Sequence, residues 1–383
     1  GFAAWYGPDS NYWGHNAIIR TRAFVESAGL PVLPGRAPFG GHILSHDFVE
    51  AALLRRAGWD VRLLPALGGS YEESPPSLLD NAQRDRRWCQ GNLQHLGLLR
   101  TRGLRPLSRF HLLAGAMSYL SSPLWLLFIV LGLAAALQGR WQLPVYFFPG
   151  RTPYPVWQVI DSQLAAALFF ATLALLLAPK LLACLAIACQ RSRAEAHGGR
   201  RRLFASLVVE TLFSALTAPV QMLLHSRAVL EVLFGADSGW QTQNRDDRGT
   251  PMPECWRRHR GHLAIGVVLA GLSYAAEPAL LPWMAPTACG LLLAPWVSWL
   301  GARRGPGDWL RRARLLMIPE EHRAPAIVAN LPSDATAPPD ALERLRHDPE
   351  LQSLHSLLLQ RHPPPEETDA MLLARLRLPR ALA

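Results

Sequence analysis

The chain changes character near residue 110. Before it, short apolar clusters are interrupted by polar, glycine and proline positions; after it, long apolar runs dominate. Runs at 115–138, 163–187, 262–278 and 281–300 are long and apolar enough to cross the roughly 30 Å hydrocarbon core, which takes about 20 helical residues. Leu124 to Leu137 is free of charge, and Pro179 and Lys180 alone interrupt Leu164 to Ile187. The last two runs form a hairpin around Glu277, Pro278 and Pro282. The stretch 203–234 differs, because Glu210, His225, Arg227 and Glu231 recur along it and its second half alternates faces at helical spacing. That pattern predicts an interfacial helix, followed by a cytosolic loop over 235–260.

Residues 1–109 read as part of a soluble domain. A glycine turn, Gly40-Gly41, leads to an amphipathic helix from Phe48 to Ala57, with Val49, Leu53 and Leu54 on one side and Glu50, Arg55 and Arg56 on the other. Ser45 or Asp47 is placed to cap it. The transmembrane region is expected over 110–302 and a cytosolic tail over 303–383. In the tail, Pro332, Pro338-Pro339 and Pro363-Pro364-Pro365 separate short helices at about 340–361 and 366–377. Such a tail serves solubility, or an interaction.

Composition agrees with a membrane protein. The 383 residues are 50% apolar and 18% charged, with mean hydropathy +0.08, which argues against a disordered chain, a disulfide scaffold or an ordinary soluble enzyme. The net charge of +10 alone admits nucleic acid, anionic lipid or a phosphorylated substrate as partner. Position decides among them. Only Arg140 and Arg151 lie in 139–160, whereas Arg191, Arg193, Arg200, Arg201 and Arg202 crowd 190–202, and Arg227, Arg245, Arg248, Arg257, Arg258 and Arg260 follow in 226–261. By the positive-inside rule the first loop is outside and the others are cytosolic, as are Arg303, Arg304, Arg311, Arg312 and Arg314 after the last crossing. Much of the charge is therefore a topology signal; the lipid bilayer is the expected partner and nucleic acid is not. Cys89, Cys184, Cys189, Cys255 and Cys289 form neither a disulfide framework nor a zinc spacing, and are expected to be buried, reduced thiols. Lys180, the one lysine, suits either a snorkelling helix end or, with Trp125, Phe169 and Phe170, a polar path through the membrane.

Chemistry concentrates in two places. His46-Asp47 stands at the start of the amphipathic helix, where an aspartate serves as a cap or, exposed to a substrate, as a proton acceptor. After the acidic segment Tyr71-Glu72-Glu73-Ser74-Pro75-Pro76 comes Gln83-Arg84-Asp85-Arg86-Arg87-Trp88-Cys89-Gln90-Gly91-Asn92. Its arginines beside a tryptophan suit phosphate binding and ring stacking, or a solvated basic helix before a membrane.

Taken together with Tyr12-Trp13-Gly14-His15-Asn16-Ala17, these segments resemble the processive family 2 glycosyltransferases, whose motifs follow the order acceptor-site glycine turn, catalytic aspartate, Q-x-x-R-W. Arg84 stands where that motif has glutamine, and His46 precedes the aspartate. Both departures look like the branch that makes osmoregulated periplasmic glucans. The resemblance covers about residues 1–315. It implies a membrane α-helical region joined to the C-terminal part of an α/β GT-A-type glycosyltransferase domain, in the bacterial inner membrane with its C-terminus cytosolic. It implies transfer of glucose from UDP-glucose to a growing β-glucan acceptor, coupled to export, with other glucan-biosynthesis proteins as candidate partners.

Carried over, Asp47 is the general base; Arg84, Arg87 and Trp88 hold the diphosphate and the glucan end; Gly14 and His15 form the acceptor-side turn; and His46 orients Asp47 or binds the acceptor. Trp240, Gln243 and Arg245 occupy the place of a lid over the nucleotide, or of a plain polar connector. The family's D-x-D motif, which would hold Mg²⁺ or Mn²⁺, has no counterpart, so no metal ligand is expected in this chain. Gly1 to Trp5 carries neither an initiator methionine nor a signal peptide. An upstream part holding the donor and metal sites is therefore expected, without which the chain is inactive. The alternatives are a cellulose- or hyaluronan-type synthase, or a non-enzymatic membrane channel or scaffold with a vestigial domain.

Overall fold

The computed structural model describes residues 2–141, 162–236, 249–329 and 341–361. Two compact units emerge, Gly1–Ile318 and Pro319–Ala383.

In the first unit, α1 (Phe2–Tyr6), α2 (Thr21–Ser27), α3 (His46–Arg56) and α4 (Leu78–Leu98) precede the apolar helices. Val49, Ala52 and Leu53 on the inner face of α3 pack with Leu33, Ile43, Leu98, Leu104 and Leu112, while Leu54 packs with Ala23 and Ala28 of the α2 region. The C-terminal end of α3 is fixed by Arg55, 3% exposed, which bonds Asp9 at 2.6 Å and Asp60 at 2.8 Å. Ser77 caps α4 by accepting the Asp80 amide at 3.1 Å.

The expected α/β character of this part is not found: among the described residues there are no strands, only isolated bridges, Asp9 to Val61 parallel and Leu33 to Gly41 antiparallel. Gly7, at φ +54, and Pro8, which lacks an N–H, stop the first ladder on its upstream side.

The membrane region begins with α5 (Pro106–Trp141) and continues through α6 (Ser162–Ala188), α7 (Arg191–Ala196) and α8 (Arg200–Leu233). It then passes to α9 (Met252–Ala276), α10 (Leu281–Leu292), α11 (Ala294–Gly301) and α12 (Arg304–Arg312). Ile129, Met222, Leu269, Ala288 and Leu291 join α5, α8, α9 and α10 in one core. Gly290 lets α10 approach α8 closely, since a Cβ there would lie 2.6 Å from the Leu216 carbonyl oxygen.

By length and composition α5, α6 and α8 each suffice to cross a membrane. The stretch expected to lie at the interface is thus, as α8, apolar enough to span: Glu210 does not face an aqueous phase alone but pairs with Lys180 of α6 at 2.7 Å. Ser214 donates to Glu210 at 2.6 Å, so Lys180 is held by a neighbouring helix rather than merely snorkelling. α9, over the expected crossing 262–278, is not among these helices, because its apolar part begins only after Arg260 and His262. The expected crossing 281–300 is the pair α10 and α11, which with the preceding Pro278–Leu280 turn is bent by 55° and forms either a broken span or a re-entrant loop. Cys189 and Cys289 are exposed, contrary to the expectation of five buried thiols; all are free, and Cys89, Cys184 and Cys255 are buried.

Residues 303–318, grouped by sequence with the tail, lie in the first unit, where the Leu316 amide donates to Ser206 Oγ at 2.9 Å. The second unit holds α13 (Pro319–His322), α14 (Ala326–Ala329), α15 (Ala341–His347) and α16 (Pro349–Arg361). Asp348 caps α16, its Oδ1 accepting the Glu350 amide at 3.0 Å, so the helix expected over 340–361 is two. The expected helix at 366–377 lies outside the described residues.

Candidate active site at the start of α3

Asp47 occupies the first turn of α3. Ser45 holds the cap position without a side-chain capping bond, and Asp47 is not a cap either, so its carboxylate is available for other work. Burial pushes its pKa above the usual 3.8, opposed by the His46 charge, by its own backbone hydrogen bond and by His15. His46 Nδ1 lies 3.2 Å from Asp47 Oδ1 and 3.0 Å from Glu50 Oε1. Glu50, 5% exposed, also accepts the Tyr12 hydroxyl, and burial raises its pKa. Tyr12, His46 and Glu50 thus form a hydrogen-bonded floor beside Asp47.

The turn carrying Gly14 and His15 reaches this carboxylate directly. A Cβ at Gly14, whose φ is +79, would sit 2.5 Å from Asp47 Oδ1. His15 Nδ1 pairs with Glu72 Oε2 at 2.7 Å, and Ser70 donates to Asn16, so the acidic segment singled out in the sequence holds the turn in place. Trp13 packs edge-on against Phe48, with ring centroids 6.3 Å apart.

α4 supplies the second wall. Arg84, Trp88, Gly91 and His95 recur at helical spacing along one stripe. At the lower end of the stripe, a Cβ on Gly91 would lie 2.3 Å from Ser45 Oγ, and His95 Nε2 bonds the Ser45 carbonyl at 2.8 Å. Gln94 Oε1 accepts the Leu44 amide at 3.0 Å and its Nε2 donates to the His42 carbonyl at 3.2 Å. The loop delivering Asp47 is therefore clipped to α4. Trp88 stands three residues from Gly91, about 4.5 Å along the axis. Its indole, 39% exposed, has the Arg84 guanidinium 4.3 Å from its ring centroid. Arg84 Nη2 donates to Asn81 at 2.6 Å, while its buried Nε has no partner, leaving a donor for an anionic ligand. Arg87 lies half-buried on the same helix.

The opposite flank of α4 is bound to α8. Arg86 donates to Glu231 at 2.9 Å and to the Ala236 carbonyl at 2.8 Å, and Asp85 lies 3.3 Å from His225 Nε2.

Of the sequence-predicted residues, Gly14, His15, His46 and Asp47 come together, and Arg84 and Trp88 stand on the helix that holds their loop. Trp240, Gln243 and Arg245 lie outside the described residues. Sequence reasoning missed Tyr12, Glu50, Gly91, Gln94 and His95. The i, i+4 spacing of His46 and Glu50, and the stripe through Arg84, Trp88, Gly91 and His95, were the available signals. Among the described residues no three His, Cys, Asp or Glu side chains converge on a metal position, so the residues present do not fit the divalent ion that the resemblance implies.

Residues 6–182 match the model of glycosyl transferase family group 2. The chain is 50% identical over 328 residues to a Vibrio cholerae protein named glucans biosynthesis glucosyltransferase H, covering 86% of the chain and 46% of that protein. A protein of the same name from Rhodopseudomonas palustris is 48% identical over 372 residues, covering 95% of the chain and 51% of the relative. A Shewanella protein, also so named, is 46% identical over 371 residues, again covering 95% and 51%. The chain spans about half the length of these curated relatives. No solved structure matches it.

Proposed function

We propose, from the group 2 glycosyl transferase segment over residues 6–182 and the site built on it, that the chain carries the acceptor side and membrane region of an inverting glucosyltransferase. The enzyme moves glucose from UDP-glucose to a growing β-glucan of the osmoregulated periplasmic type. One observation carries the proposal: Asp47, with a raised pKa, stands against the Gly14 turn on a loop clipped to the helix of Arg84 and Trp88.

The acceptor hydroxyl oxygen attacks the anomeric carbon in line as the bond to UDP breaks, the leaving electron pair going to the diphosphate and the hydroxyl proton to Asp47. A carboxylate whose pKa is raised by burial is a better base than an ordinary aspartate. Gly14 and His15 seat the acceptor end, Trp88 offers a ring face to a sugar, and Arg84 and Arg87 offset the charge growing on the leaving group. No step of this scheme runs through a metal held by the described residues.

The soluble side of α3 and α4, the C-terminal end of α8 and the arginine-rich start of α9 lie, in this proposal, on the cytosolic face of the inner membrane, with the C-terminus also cytosolic. The deciding experiment is Asp47→Asn in the full-length protein, assayed in membranes with UDP-glucose. Transfer should disappear while protein level and melting behaviour persist; retained transfer would remove Asp47 as the base.

A further inference from the structure

Between the C-terminal half of α8 and the first turns of α9 lies a groove of about 990 Å³, with Leu126 of α5 in its wall. Two chemistries meet in it. Leu230, Phe234 and Ile265 make an apolar surface and are 47%, 86% and 43% exposed, while Arg257 and Arg260 stand at the same groove. Arg260 has no ion-pair or hydrogen-bond partner among the described residues, and Arg257 has only Glu254 at 3.7 Å.

A further lining group points to a ligand. Ser226 is 2% exposed, and its Oγ has no hydrogen-bond partner; the neighbouring His262 ring, 8% exposed, also faces the Val220 backbone and His259. A buried polar atom is rarely left so, because it carries its full desolvation penalty. A polar ligand atom in the groove would satisfy Ser226.

The groove's position names the ligand. Its walls belong to α5 and α8, both apolar enough to cross a membrane. Glu231 and Ala236, also in its lining, are the ones Arg86 of α4 holds, so it opens where the bundle meets the soluble part. A soluble phosphate compound would match the arginines and leave the apolar wall in water. A zwitterionic lipid would cover the wall and leave the guanidinium groups less well matched. Basic pockets between membrane helices at the cytosolic surface recognise anionic head groups.

We propose that the α8–α9 groove is a seat for an anionic phospholipid, its acyl chains on Leu230, Phe234 and Ile265 and its phosphate between Arg257 and Arg260, within reach of Ser226. The proposal stands on the membrane placement and not on the transfer chemistry.

The test uses the purified chain in neutral detergent, incubated with phosphatidylglycerol, phosphatidylcholine or inorganic phosphate, and bound lipid counted by native mass spectrometry. Phosphatidylglycerol should be retained over phosphatidylcholine, and inorganic phosphate should not displace it. The double variant Arg257→Gln/Arg260→Gln should weaken retention about thirtyfold, at roughly fivefold per arginine near an anionic surface. Ile265→Trp, which fills the apolar wall and keeps every charge, should also weaken it. Both variants alter exposed side chains, and circular dichroism checks their fold. Equal retention of the two lipids, displacement by phosphate alone, or indifference to either variant would overturn the proposal; should one variant fail to fold, the other and the competition arm decide.

Discussion

Gly14 and Asp47 are in contact: a methyl group added at Gly14 would come within 2.5 Å of Asp47 Oδ1. The turn and the carboxylate therefore hold each other in register, and the backbone there, at φ +79, also disfavours any side chain. Gly14→Ala should displace the carboxylate and lower glucosyl transfer by about a hundredfold, the scale expected for misplacing a reacting group by about 1 Å. Initial rates in membranes, with the melting temperature as control, check this.

The pH dependence of transfer should follow Asp47. As the proposed base, Asp47 must be ionised, and burial has raised its pKa, so activity should fall on the acid side at a pH above the 3.8 of an ordinary aspartate. The charges of His46 and His15 pull the other way. His46→Ala removes one of them and should move the acid limb of the kcat/KM profile further upward. A limb that stayed in place would show that His46 does not act on Asp47.

Trp88 and Arg84 form one stacked unit, 4.3 Å apart. Trp88→Ala should raise KM for the glucan acceptor about fivefold, an indole face being worth roughly 1 kcal/mol to a stacked partner, whereas Trp88→Phe should recover part of the loss. Equal KM values in the alanine and phenylalanine variants would argue against stacking.

His95 ties stability to pH. Burial depresses its pKa from 6.5 to about 4, while its bond to the Ser45 carbonyl acts in the opposite sense. The unfolded chain takes up this proton below 6.5 and the folded chain only below about 4. The unfolded state thus binds more protons across that window, and stability is fully present above it and falls as the pH drops through it. The loss amounts to about 3 kcal/mol at the acid end. Melting temperatures in detergent should decline across the window, and less so for His95→Gln.

Lys180 and Glu210 bridge α6 and α8 at 2.7 Å inside apolar helices. Lys180→Met leaves Glu210 without its cationic partner and should lower the melting temperature. The double variant Lys180→Met/Glu210→Leu should recover most of that loss in a thermal melt.

What was legible in the sequence was local. His46-Asp47 at a helix start, and Arg84 one turn before Trp88, are set by spacing along one helix, and the structure keeps both on α3 and α4. What was not legible joins distant segments. Tyr12 meets Glu50 across 38 positions and Gln94 meets Leu44 across 50, and neither partner carries a pattern that names the other. The setting of Glu210 in α8 was hidden for the same reason: it looks like a water-facing charge until Lys180, 30 residues earlier, is set beside it. The expected strands reduce to single bridges because Gly7 and Pro8 stop the ladder that Asp9 and Val61 begin.

The fastening of α4 has a mechanical meaning. One flank is clipped to the loop of Asp47 through Gln94 and His95, and the other is riveted to α8 through Arg86. A rod gripped on both sides does not swing, so the indole platform, the carboxylate and the membrane bundle share a single frame of reference. The turn of Gly14 and His15, held against Asp47 and tethered at its outer edge by Glu72, belongs to the same frame. A polymer end seated there would meet the bilayer from a fixed anvil.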